Sequence, residues 1–156
     1  MEKLMDEFKL EHFAKDHPGK TFPAIEALGA APSTAVRDEI ATRFGLDPHT
    51  QPLSLLETVQ GHSIAVQGAN ADSPDFNLGA VLKQLGLLET NSVYLNWDRF
   101  ELLSRMSLAD LMNVFEYLWY PSADDLEIIA EDLSWILSVA HYCTVFYVRL
   151  PEPQQN

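Results

Sequence analysis

The chain reads as one α+β domain, a small sheet of about four strands packed against several helices. Three observations predict this. Of its 156 residues, 47% are hydrophobic and 21% charged, an ordinary balance for a globular protein. Stripes at helical spacing and runs of β-formers both occur along the chain. They follow one another irregularly, without a repeated βαβ rhythm, which favours α+β over a doubly wound sheet. The domain is expected over residues 1–150, with "PEPQQN" at 151–156 as a flexible tail. The loop "QGANADSP" reads as a second mobile segment.

Leu4, Met5, Phe8 and His12 place an amphipathic helix between Glu2 and Lys15, ended by "HPGK". A turn-like stretch, "FPAIEALGAAP", follows. The segment "STAVRDEIATRFGL" is a clear helix: Ser33 or Thr34 can cap it, Val36, Ile40 and Phe44 share a face, and Gly45 suits the position after its end. "PLSLLETVQG" gives a short helix stopped at Gly61. "HSIAVQG" alternates as a short strand. Ser73 and Pro74 mark a helix start, and that helix carries Leu78, Val81, Leu82 and Leu85 before Gly86 ends it. "SVYLNW" is a strand. Asp98, with Glu101 three residues on, starts a helix, and Ser107 starts the next, striped by Leu108, Leu111, Met112 and Phe115.

The closing third admits two readings. Leu126, Ile129, Ala130, Leu133, Ile136, Leu137 and Ala140 make one continuous helical stripe. "DLEII" also alternates as a strand, which requires a break near Ala130 before a helix over "EDLSWILSVA". "CTVFYVRL" is a strand in either case, stopped by Pro151.

The formal net charge is -13. A field of that sign repels phosphate backbones and anionic membranes, so neither nucleic acid nor a membrane is expected as partner. It attracts basic proteins, although solubility alone is the plainer reading. Cys143 is the only cysteine, so no intramolecular disulfide or thiolate metal cluster is expected. "MEKLMDEFKL" lacks the apolar core of a secretory signal, and no run has bilayer-spanning length. Together these features predict a cytoplasmic location.

The segments "WYPSADDLEI", "EDLSWIL" and "AHY", between Trp119 and Tyr142, resemble the C-terminal part of small, acidic, uncharacterised bacterial proteins. Some of those resemble immunity proteins of polymorphic-toxin systems. The resemblance implies a strand from Asp125 to Ile129 followed by a break. It implies no catalytic residue.

No Lys or Arg occurs from Met106 to Val148, while Asp124, Asp125, Glu127, Glu131 and Asp132 do. These acids suggest a divalent-metal site. Adjacent Asp residues on a strand point to opposite faces, however, and no calcium-loop spacing is present, so no metal and no cofactor are expected. The histidines His12, His17, His49, His62 and His141 contain no zinc-ligand pattern. His141 and Cys143, sharing a face if both lie on a strand, are a conceivable nucleophile pair; the plainer reading makes Cys143 a small buried hydrophobe. Trp97 and Trp135 suit a core, whereas Trp119 and Tyr120, before Pro121, suit half-exposed positions. The leading expectation is a non-enzymatic protein that meets a basic partner through Trp119, Tyr120, Asp124, Asp125 and Glu127. The alternative is a small hydrolase or metal-dependent enzyme using His141 and the nearby acids.

Overall fold

A computed structural model describes residues 6–97 and 100–153. Among these residues five helices and seven strands follow one another. They are α1 (Glu7–Asp16), β1 (Glu26–Ala27), α2 (Ala30–Arg43), α3 (Pro52–His62), β2 (Ile64–Asn70), α4 (Leu78–Gln84), β3 (Ser92–Asn96), β4 (Ser104–Ser107), α5 (Leu108–Leu118), β5 (Leu126–Ala130), β6 (Trp135–Val139) and β7 (Thr144–Arg149). None of these helices is long and apolar enough to cross a membrane.

The mixture of helices and strands is as expected; the sheet is not. Its seven strands are all antiparallel, in the order β1-β4-β3-β5-β6-β7-β2, where about four were expected. The additional strands lie where the sequence suggested a turn or a helix. β1 is a two-residue pairing inside the turn-like stretch. β4 follows a stretch expected to be helical. The proposed start of that helix, Asp98, lies outside the described residues. Phe100 beyond it is fully buried with φ 60°, and its N–H donates to Asn96 Oδ1 at 2.9 Å, which turns the chain back as a hairpin. β6 replaces the helix expected over "EDLSWILSVA". Its apolar residues satisfy helical spacing and strand alternation alike, and pairing with β5 and β7 decides between them.

Helix ends were more legible. Gly45 (φ 76°) and Gly86 (φ 74°) sit just past α2 and α4, in the left-handed region that glycine tolerates. In both places the next residue donates back across the end: Leu46 to Ala41 O and Leu87 to Leu82 O, forming Schellman motifs. Ser107 caps α5 by accepting from Asp110 N at 3.0 Å. The two other proposed starts moved. α2 begins at Ala30, freeing the buried Ser33 hydroxyl to accept from Leu103 N. α4 begins at Leu78 with Asn77 as cap, because Ser73 to Phe76 close a turn of their own. The stretch "QGANADSP", expected to be mobile, supplies the end of β2.

Side-chain alternation gives the sheet two differently covered faces. Leu126, Ile128, Trp135, Leu137, Val139 and Val145 face α1, α4 and α5. Ile129, Ile136 and Val148 face α2 and α3. The sheet is thus the middle of three layers.

Tight hairpins join the last three strands. Four residues, Glu131 to Ser134, link β5 and β6, with Leu133 at φ 60°. The β6–β7 turn closes through Cys143 N to Ala140 O and Ala140 N to Thr144 O, with Cys143 at φ 77°. This three-residue form places its last residue in the left-handed region, where glycine is usual. Cys143 therefore does not open the strand, and it is half-buried rather than buried. Replacing Cys143 by Gly is expected to change stability by less than about 1 kcal/mol, lost packing being offset by relief of backbone strain. Cys143→Val is expected to cost clearly more, because a β-branched residue resists positive φ. Urea unfolding of the two variants checks the order; equal stabilities would contradict it.

Candidate functional site

The residues singled out from Trp119 to Glu127 divide into two sites with different chemistry. The first is a closed corner organised by Lys9. Leu4 and Met5, part of the apolar stripe expected for α1, lie outside the described residues. Within them α1 buries Lys9 and Phe13 and leaves Phe8 44% exposed. Lys9 Nζ lies 2.8 Å from Asp124 Oδ2 and donates to Leu118 O at 2.9 Å. The ammonium also sits 5.4 Å and 5.3 Å from the ring centroids of Trp97 and Tyr120, within cation–π range. Asp124 Oδ2 accepts from Tyr120 N, and Trp119 Nε1 donates to Asp124 O. Tyr120 is stacked on His12 and meets the edge of Phe8.

This corner corrects the expected exposure. Trp119 is 3% exposed and packs on Phe115, so it is not a surface anchor. Asp124 is consumed by Lys9. Tyr120 is half-exposed as expected, with Phe8 and His12 of α1 packed against its ring. The signal missed was a lysine on the inner face of an amphipathic helix, which hydrophobic periodicity counts as solvent-facing.

The second site is open. Register places Asn96, Glu127, Ser138, Phe146 and Ala65 side by side across β3, β5, β6, β7 and β2. They lie on the face that α2 and α3 cover, but beyond the apolar row those helices bury. The result is a cleft of about 610 Å³, within the size range of ligand sites. Asp125, Glu127 and Ser138 line one side, Leu56, Val59 and Gln60 of α3 with Ser63 just past its end another, and Trp97, His141, Tyr142 and Phe146 complete the walls. No Lys or Arg lines it among the described residues.

Three features give the cleft negative character. Asp125 stands at the rim, its Oδ1 accepting from His141 N at 2.8 Å and meeting His141 Nδ1 at 3.0 Å. Glu127 is half-buried, and its Oε1 accepts from Asn96 Nδ2 at 3.0 Å. Burial pushes the Glu127 carboxyl up to about 7; the charge of Asp125 adds to the rise and the Asn96 hydrogen bond opposes it. The C-terminal turn of α3, which carries the negative end of the helix dipole, is the third. Tyr142, 61% exposed, stands beside Phe146 as an aromatic edge.

The other candidates disperse. Glu131 is held by Arg105 through two hydrogen bonds of 3.0 and 3.1 Å, and Asp132 accepts from Ser134 within its hairpin. Among the described residues no three His, Cys, Asp or Glu side chains gather as a metal-ligand group. His141 and Cys143 do not share a face: His141 joins Asp125 at the cleft, while Cys143 packs toward the core on the opposite face. Ser138, which lines the cleft, and the buried Asn96, which holds Glu127 from β3, are residues the sequence reading missed. Their signal was a polar residue interrupting an apolar alternation, hidden for Ser138 by reading β6 as helix.

Two outcomes follow. Lys9→Ala removes one partner of a buried pair and is expected to cost roughly 3 kcal/mol or more in urea unfolding. Adding Asp124→Asn should recover part of that loss; an additive double variant would contradict the pairing. For Glu127 the folded-state carboxyl lies above its unfolded value, so its stabilising effect is full at low pH. That effect is lost as pH rises from about 4.5 to about 7. Glu127→Gln should therefore gain on the wild type across that window, by at most roughly 3 kcal/mol above it. Unfolding free energies at pH 4.5 and pH 8 measure the difference; an unchanged difference would refute the shift.

No protein-family model, no curated protein and no solved structure matches the chain, so its function is read from the chemistry of the cleft itself.

Proposed function

We propose that the protein is an acidic, non-enzymatic interaction protein that recognises a basic partner through the cleft between α3 and the β6–β7 turn. The cleft itself carries the reading: two carboxylates, aromatic walls and a helix C-terminus converge there, with no described cation among the lining residues. The net charge of -13 adds long-range steering. Of the five residues first expected to meet the partner, Asp125 and Glu127 remain in this role, joined by Tyr142. An immunity-type role, in which the protein covers a basic toxin, fits this chemistry. A lone cysteine suits a reducing compartment such as the cytosol.

A second reading has its own observation. Glu127, with its carboxyl near 7, shares the cleft with the Asp125–His141 pair, an arrangement suited to general acid–base chemistry. A hydrolase of small substrates follows from that reading. Turnover of simple ester, phosphoester or glycoside substrates, lost in Glu127→Gln and His141→Ala, would establish it.

The main reading is tested by capture from the native cell extract followed by binding measurements with the retained protein. A basic protein should bind at low salt and be released at high salt. Asp125→Lys should slow association, and Tyr142→Ala should weaken binding by roughly tenfold or more if the ring is an anchor. Retention that ignores both substitutions, or the absence of any basic protein at low salt, would overturn the reading.

A further inference from the structure

We propose that the cleft receives the guanidinium side chain of an arginine on the protein partner, with Glu127 and Asp125 as acceptors and Trp97, Tyr142 and Phe146 as flat neighbours. The inference rests on the basic-partner reading and makes it specific.

Geometry favours a planar cation. Among the described residues each carboxylate has one oxygen engaged, Glu127 Oε1 by Asn96 and Asp125 Oδ1 by His141, which leaves the second oxygen of each to accept. Charge-assisted bonds from a guanidinium fork suit two acceptors at different depths. A guanidinium is weakly hydrated and stacks on aromatic faces, whereas an ammonium keeps its water more strongly. Trp97, Tyr142 and Phe146 are the aromatic residues of the wall, and Trp97 already has the Lys9 ammonium over its ring, which marks such rings as cation-accepting. The half-buried Glu127 lies inside, beyond the rim formed by Asp125 and Tyr142, so a long side chain reaches both acids.

Such an occupant would couple binding to proton release. A cation beside Glu127 favours its carboxylate, so the affinity should rise as pH passes upward through about 7. The titratable groups sharing the cleft are Asp125, which immediately precedes β5, and His141 and Tyr142 from the β6–β7 turn. β6, α3 and the residue capping α3 present Ser138, Gln60 and Ser63, and the buried Asn96 of β3 backs Glu127; all are uncharged. Protonation of His141 would repel the cation in the same direction, so the two contributions need separate variants.

The experiment is an NMR titration of the full chain with blocked Gly-Arg-Gly, Gly-Lys-Gly and Gly-citrulline-Gly at pH 6 and pH 8. The arginine peptide should move the signals of Trp97, Glu127, Ser138 and Tyr142, and bind about tenfold more tightly at pH 8, following the ionised fraction of Glu127. Glu127→Gln should remove most of that pH effect while His141→Gln retains it. Tyr142→Ala, which alters an exposed ring, should weaken binding without disturbing the fold. Citrulline, equal in shape but uncharged, should not saturate, and lysine should bind several-fold more weakly than arginine. Citrulline or lysine binding as well as arginine, shifts confined to other surfaces, or no saturable arginine binding would overturn the inference. If it falls while capture of a basic partner still depends on Asp125 and Tyr142, the broader reading stands. If that dependence is absent too, both fall.

Discussion

The period-two alternation along β5 and β6 is the constraint on which the rest depends. It sends Leu126, Ile128, Leu137 and Val139 into one core, and Glu127, Ile129, Ile136 and Ser138 to the other face. A register slip of one residue in either strand would exchange these sets. In β5 that would drive a carboxylate into the packing of α4 and α5 and strip Leu126 and Ile128 from it. The desolvation of an unpaired charge and the lost apolar burial would act together, several kcal/mol in the same sense. The apolar residues and the single acid therefore specify one register jointly. The cleft is a by-product of this arrangement, the part of the second face that the short helix α3 does not reach.

Lys9 explains why the acidic surface is uneven. It sits 3% exposed at the point where α1, the end of α5 and the turn before β5 meet. Its charge is matched by Asp124, and its remaining contacts are a carbonyl and two aromatic rings, so the desolvation cost is largely compensated. The adjacent Asp residues thus have opposite fates. Asp124 is neutralised inside a structural corner and Asp125 stays at the cleft. Arg105 similarly quenches Glu131 and lies near Glu26. Anionic character that is even in sequence becomes local in space.

The legible parts of the fold were those decided by local chemistry. Gly45 and Gly86 ended helices because positive φ is a property of the single residue, and Ser107 capped α5 through its own hydroxyl. β2 was marked by the alternation of Ile64 and Val66, and β3 and β7 by their content of β-formers. Legibility failed where distant partners decide. β1 is defined only by β4, and β6 by two neighbours that sequence periodicity does not see. Trp119 was expected to be half-exposed because it stands just before Pro121, yet its indole packs beside Phe115 and donates to Asp124 O. Of the cleft, Asp125 and Glu127 were named from the sequence. Ser138 and Phe146 join them, and Asn96 backs Glu127, only through cross-strand register.

The strand order also bears on how the protein forms during synthesis. β3 to β7 make a continuous antiparallel set from the second half of the chain. β1 and β2, from the first half, have no sheet partner among the elements around them. β1 waits for β4, and β2, at Ile64, waits for Tyr147. As the ribosome delivers the chain from its N-terminus, the first half emerges with one wall of the cleft, α3, but without the strands that form the floor. Its apolar helix faces stay uncovered until those strands appear, and separations this long slow closure. The nascent protein therefore passes through a stage in which the apolar faces of α2 and α3, later packed on the sheet, stand exposed. In that interval chaperone protection matters most.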